Sequence, residues 1–109
     1  MAFDELLADR VRAILDDDVS VSERRMFGGL AFMVDGNMAC GIIGDELMVR
    51  VGPDDYEDAL ARPHAREMDF TGRPMRGLVM VVADGIESDA DLEDWIARGA
   101  EYAGSLPPK

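Results

Sequence analysis

The sequence has almost none of the residues that build metal centres, disulfides or thiol-based active sites. Its 109 residues include one cysteine, Cys40, and one histidine, His64. A zinc site needs several converging Cys, His or carboxylate ligands, and a disulfide needs a second cysteine. We therefore expect no zinc site, no internal disulfide and no cofactor. A single thiol is typical of a reducing compartment, so we expect a cytoplasmic protein.

Long apolar runs and positive charge are also scarce. No uninterrupted apolar run is long enough to span a bilayer, and no basic segment leads into an apolar one as in a signal peptide. The chain has 23 Asp and Glu against 11 Lys and Arg, a formal net charge of -12. Nucleic-acid binding depends on clustered cations, and anionic membranes also attract cations. We therefore expect neither direct nucleic-acid binding nor membrane association.

The composition itself is that of one globular domain. Hydrophobic residues make up 48% of the chain and charged residues 31%. A chain of this length buries a core without disulfides or metals. We expect a single domain over residues 1–105 and a frayed tail over 106–109.

The hydrophobic periodicity predicts an α+β fold with an antiparallel sheet. The first helix has apolar residues at helical spacing, among them Leu6, Leu7 and Val11. The last helix begins at Ser88, which together with Asp91 resembles a capping box. In chain order we expect a helix at 3–17, a three-strand meander at 25–34, 38–43 and 46–51, a short helix between Pro53 and Pro63, strands at 66–70 and 78–83, and a helix from 88 to about 103.

Most features that suggest chemistry have a structural explanation. Cys40 lies within an apolar strand, which favours a buried, inert thiol. The pair Gly28-Gly29 lacks the Lys-Ser/Thr of a phosphate-binding loop and interrupts a strand, so we expect a β-bulge or a close backbone approach. Paired carboxylates at helix starts are explained by capping.

Methionines and arginines are the residues that could form a binding surface. Six of the eight methionines fall on predicted strands, where they fill a core or form a partner-binding or dimer face. Several arginines come from the meander and nearby loops, and they form a positive patch unless each pairs with a carboxylate. These arginines are Arg24, Arg25, Arg50, Arg66, Arg73 and Arg76.

Four stretches, in order along nearly the whole chain, carry a family resemblance. They are residues 25–34, which begin Arg25-Met26-Phe27-Gly28-Gly29, the hairpin at 36–41, residues 47–53, which end Gly52-Pro53, and residues 68–77, which contain Thr71-Gly72-Arg73-Pro74. As a set they resemble the N-terminal domain of the TfoX family, also called Sxy, which is known for bacterial regulators of natural competence. The resemblance implies the same order of helices and strands, with a sheet like that of dimeric secretion chaperones, and hence a homodimer. It supplies no established catalytic residue.

Two functional hypotheses follow. The first is a non-enzymatic protein-interaction module that, as the resemblance implies, acts with a transcription factor in a competence-type role. Its candidate contacts are Arg25, Arg50 and Arg73. The alternative is a small anionic ligand or enzymatic site on the open sheet face, using His64, Arg66 and Arg73.

Overall fold

A computed structural model describes residues 3–15, 21–26, 28–67 and 77–107. It confirms the predicted α+β class and the alternation of helices and strands. The elements are α1 (Glu5–Leu15), β1 (Val21–Met26), β2 (Gly29–Val34), β3 (Asn37–Ile43), β4 (Glu46–Arg50), α2 (Tyr56–Leu60), β5 (Ala65–Glu67), β6 (Leu78–Val81), a 3₁₀ helix (Ala83–Ile86) and α3 (Asp89–Ser105).

The strands form one antiparallel sheet in the order β1-β2-β3-β4-β6-β5. The meander has four strands, because the expected strand at 25–34 is divided into the end of β1 and all of β2. Gly28 has a φ of 73° and marks the division, and Met26 pairs with Gly29 across it. Of the strand expected at 66–70, residues 68–70 lie outside the described residues.

Two tight turns close the meander as the sequence predicts. Asp35 and Gly36 join β2 to β3 with φ of 52° and 83°. Two successive positive φ values are the mark of the turn that fits the twist of a hairpin. Gly44 joins β3 to β4 with a φ of 62°. The glycines therefore set the register in which the apolar strand residues face the helices.

Helices α1 and α3 cover one face of the sheet. The predicted apolar side of α3 is confirmed, since Leu92, Trp95 and Ile96 are all buried. The amide of Asp91 donates a 3.1 Å hydrogen bond to Oγ of Ser88, which confirms the predicted cap. The largest fully buried side chains in this core include Phe32, Ile42, Leu47, Leu92, Ile96 and Val11.

Glycine allows α3 to approach the sheet closely. A Cβ on Gly99 would overlap the carbonyl oxygen of Ala39 and lie 3.3 Å from Cγ1 of Val49. Ala39 lies where the pairing of β2 with β3 shifts register, between Phe32 and Met33. The irregular strand and the glycine of the helix therefore meet at one point.

The other face of the sheet is also buried at its centre. Met48 is 1% exposed, Met80 4% and Leu78 8%, and Met38 and Ile43 pack against them. This confirms that β6 is covered on both faces, and it shows that these methionines fill a core. These central positions of that face are therefore not accessible in the single chain.

Helix α1 departs from its predicted pattern at Leu6, and Phe3, expected within the helix, lies before it in an isolated bridge with Gly44. Leu7, Val11 and Leu15 are buried as expected, but Leu6 is 77% exposed. Oδ1 of Asp4 accepts hydrogen bonds from the amides of Leu6 (2.9 Å) and Leu7 (3.3 Å), so the helix starts there. The helical stripe that faces the sheet is therefore narrower than the sequence suggests. Within the described ranges, no helix is long and apolar enough to cross a membrane.

Candidate functional site

The lone cysteine is not available for nucleophilic chemistry. Cys40 is 0% exposed on β3, among the residues of the main core. Burial raises the pKa of its thiol to about 12, because the thiolate would be formed away from water. At neutral pH the side chain is a small apolar core residue.

His64 shapes a turn before the edge strand β5. It is exposed, and its φ of 69° places it in the left-handed region. Its carbonyl accepts a 3.0 Å hydrogen bond from the amide of Val82. A Cβ on Gly85 would lie only 2.6 Å from Cβ of His64, so the backbone around the histidine is closely packed on one side.

The expected anion site contains no uncommitted arginine among its described members. Arg66 donates through Nη2 to Oε1 of Glu46 at 2.7 Å. Arg73 and Arg76 lie outside the described residues. Three residues were named for an anion site. Arg66 is paired with Glu46, His64 lies in a turn, and Arg73 lies outside the described residues.

Two of the three expected partner contacts, Arg25 and Arg50, stand on different strands, and the third, Arg73, lies outside the described residues. The Arg25 guanidinium lies 5.8 Å from the centroid of the Phe3 ring, and that of Arg50 lies 5.3 Å from the centroid of the Tyr102 ring. Strands β2 and β3 lie between them, so three strand spacings of about 4.8 Å separate their backbones by roughly 14 Å. Arg25 and Arg50 are therefore not adjacent on the sheet.

Arg25 lies on the most exposed strand of the sheet. Ser22, Glu23, Arg24 and Arg25 are all exposed. In the described part of the chain, β1 has a strand neighbour on one side only. Glu23 is held by Arg12 through two hydrogen bonds of 2.8 Å. The cations Arg24 and Arg25 are therefore the charged groups that this edge presents without such a partner.

Two arginines that the sequence did not single out, Arg62 after α2 and Arg98 on α3, lie beside Trp95. The guanidinium groups of Arg62 and Arg98 each lie 5.7 Å from the centroid of the Trp95 ring. Asp94 pairs with Arg62 at 3.0 Å and with Arg98 at 3.6 Å. The four-residue spacing of Asp94 and Arg98 was the one sequence signal for this cluster. Arg98 also pairs with Asp58 of α2 at 3.7 Å, so each of the two cations has a carboxylate beside it.

A groove that the sequence did not predict lies between α1 and the 3₁₀ helix. It has a volume of about 440 Å³, and its lining includes Leu6, Arg10 and Glu87. Over the residues that the structure describes, no three Cys, His, Asp or Glu side chains are placed to hold a metal ion.

The architecture is that of an α+β domain with one six-stranded antiparallel sheet and its long helices on one face. Residues 13–103 match the family model of the TfoX N-terminal domain. This is most of the chain, which therefore belongs to the TfoX N-terminal domain family. A search of curated proteins finds no match.

Proposed function

We propose that this domain is a non-enzymatic protein-interaction module that acts in the cytoplasm with a transcription factor. Membership of the TfoX N-terminal domain family supports the regulatory part of this proposal, since the family resemblance implies a competence-type role. The observation that carries the interaction part is the exposed edge strand β1, with Arg24 and Arg25 on it.

Strand β1 offers two kinds of contact. An edge strand has backbone N–H and C=O groups that can pair with an added strand. Successive side chains of a strand point to opposite faces, so Arg24 and Arg25 flank that edge on its two sides. A partner strand with carboxylates at neighbouring positions would satisfy both the backbone groups and the guanidinium groups.

The geometry of Arg25 also favours recognition. Its guanidinium lies over the Phe3 ring, which restricts the side chain without neutralising its charge. Glu23, which would otherwise repel an acidic partner, is already occupied by Arg12. Arg24 and Arg25 are therefore exposed cations on an edge strand of a chain whose net charge is -12.

Affinity capture from the native cell tests the proposal. Wild type is compared with Arg24→Ala/Arg25→Ala and with Arg66→Ala, a matched control whose arginine is paired with Glu46. We expect wild type and Arg66→Ala to retain the same partner and the double variant to lose it. With the purified partner, the double variant should bind about tenfold more weakly, as expected for the loss of two charged contacts at a rim.

Folding and self-association are measured on the same samples. Circular dichroism must show that the double variant is folded, and light scattering reports whether a second copy of the chain is the partner. If the homodimer that the family resemblance implies forms through β1, the double variant is a monomer; if both samples are dimeric, the dimer uses another surface. A folded double variant that keeps every partner of the wild type refutes the assignment to β1.

No specific observation favours the anionic ligand site. Arg66 is paired and the centre of the expected open face is buried.

A further inference from the structure

The groove between α1 and the 3₁₀ helix has an apolar floor with an exposed leucine beside it. Leu7 is 4% exposed and Ile86 2%, and they close the bottom of the groove. Leu6, at 77% exposure, is the one exposed large hydrophobic residue in the described parts of the chain. Because its neighbour Asp4 fixes the helix start by accepting from the amides of Leu6 and Leu7, the leucine is held in this position.

The rim of the groove is acidic. Asp45, Asp84 and Glu87 line it and make no ion pair within the described residues. The one cation of the lining, Arg10, donates to Oδ1 of Asp89 and to the carbonyl of Glu87, each at 3.2 Å. The three carboxylates are therefore not neutralised by the arginine beside them.

We propose that this groove, called here the acidic groove, binds a cationic segment of a partner protein. The segment would carry an apolar side chain that covers Leu6, Leu7 and Ile86, with Arg or Lys on both sides of it. Burial of the exposed leucine gives affinity, and the carboxylates of the rim select for positive charge. A neutral or acidic segment would leave three carboxylates partly desolvated without partners, so it is disfavoured.

This surface is separate from the edge strand β1. Arg12 of α1 reaches β1 by bonding Glu23, whereas Arg10 of the same helix reaches the 3₁₀ helix and α3 through Glu87 and Asp89. The two surfaces thus flank α1 on different sides. The two sets of variants share no residue, so the proposal is tested independently of the proposed function.

Peptide titration with the purified full chain tests it. The probe is the fluorescein-labelled hexapeptide Arg-Arg-Leu-Leu-Arg-Arg, and its controls replace both leucines by serine or all arginines by glutamate. We expect saturable binding of the probe at low ionic strength, binding about tenfold weaker for the serine peptide, and none for the glutamate peptide. Equal binding of the probe and the serine peptide, or no binding of the probe, overturns the proposal.

Variants with matched charge locate the site. Asp45→Asn/Asp84→Asn should weaken binding of the probe about tenfold, whereas Glu57→Gln/Glu93→Gln, which removes the same charge elsewhere, should change it less than about twofold. Equal losses in the two pairs would show attraction by net charge only and would refute the site.

The exposed leucine is tested in the same way. Leu6→Ser should weaken binding of the probe about tenfold. Ala13→Ser, at another exposed position of α1, is the control and should leave binding unchanged. Because both side chains are exposed, both variants are expected to fold. Unchanged binding by Leu6→Ser contradicts the role of the leucine.

Discussion

Replacement of Gly99 by alanine tests how α3 is seated on the sheet. A Cβ at this position would overlap the carbonyl oxygen of Ala39 and crowd Cγ1 of Val49 at 3.3 Å. The obstacle is backbone of a paired strand, which cannot move aside as the end of a flexible side chain can. Helix α3 would have to retreat, and the contacts of its buried residues with the sheet would loosen.

Two opposing terms set the size of the effect. Alanine is favoured over glycine within a helix by about 1 kcal/mol. Overpacking of a core costs about 1–3 kcal/mol, and the upper end applies where the obstacle is backbone. We therefore expect Gly99→Ala to lower the free energy of unfolding by about 2 kcal/mol, a decrease in Tm of about 8 °C for a chain of this size.

Gly104 supplies the matched control on the same helix. A Cβ there would meet nothing within 4 Å, so Gly104→Ala should raise the free energy of unfolding by about 0.5 kcal/mol. Urea unfolding followed by circular dichroism and by Trp95 fluorescence measures both variants. If Gly99→Ala is as stable as Gly104→Ala, the close approach of α3 to β3 is not a constraint and the reasoning is wrong.

Two further predictions concern ionisable groups. The hydrogen bonds from Arg12 hold the pKa of Glu23 below its usual 4.5, so the pair stabilises the fold above that pH and its contribution is lost as pH falls through the lowered pKa. Glu23→Gln should therefore be less stable than wild type near pH 7 by at most about 0.5 kcal/mol, because both side chains are partly exposed. This difference in stability should shrink as the pH is lowered below 4.5, and a difference that does not change with pH contradicts the reasoning. Burial raises the pKa of Cys40 to about 12. Its thiol should therefore resist iodoacetamide near pH 8 in the folded protein and react after unfolding in urea. Equal rates of alkylation in the folded and unfolded protein would disprove its burial.

The strongly patterned elements were predictable from the sequence. Residues 78–81 are continuously apolar and became the doubly covered strand β6. The two turns were predictable from the residue types Asp35-Gly36 and Gly44, because glycine and aspartate tolerate the positive φ values found there. For β6 and these two turns, the residue types of the segment itself were sufficient to predict its conformation.

Strand β1 and the exposure of Leu6 were not predictable in the same way. The segment Val21–Met26 carries Ser, Glu and two Arg, and its strand conformation comes from pairing with β2. Such an edge strand has no apolar alternation to reveal it. Leu6 fits the helical spacing, but only the tertiary arrangement decides which residues at the border of an apolar stripe are covered.

The candidate surfaces depended on the fold still more strongly. Arg25 and Arg50 both belong to the predicted meander, yet they stand on strands separated by two others. The acidic groove joins α1, the turn at Asp45 and the 3₁₀ helix, which are distant in the chain. No sequence spacing relates these three segments to one another. The composition therefore indicates that the chain is acidic, but not which carboxylates come together on its surface.

The buried amide of Asn37 fixes where the last described residues lie. Asn37 is 2% exposed, and its Nδ2 donates a 2.9 Å hydrogen bond to the carbonyl of Pro107, within the segment expected to fray. Asn37 begins β3, whereas Gly44 and Asp45 follow its other end, about 20 Å away for a seven-residue strand. A dye or affinity matrix attached at Pro107 would therefore lie beside Asn37, at the end of β3 opposite to the acidic groove. Attachment at Pro107 leaves the groove accessible, and a bulky group there is a poor reporter of what enters it.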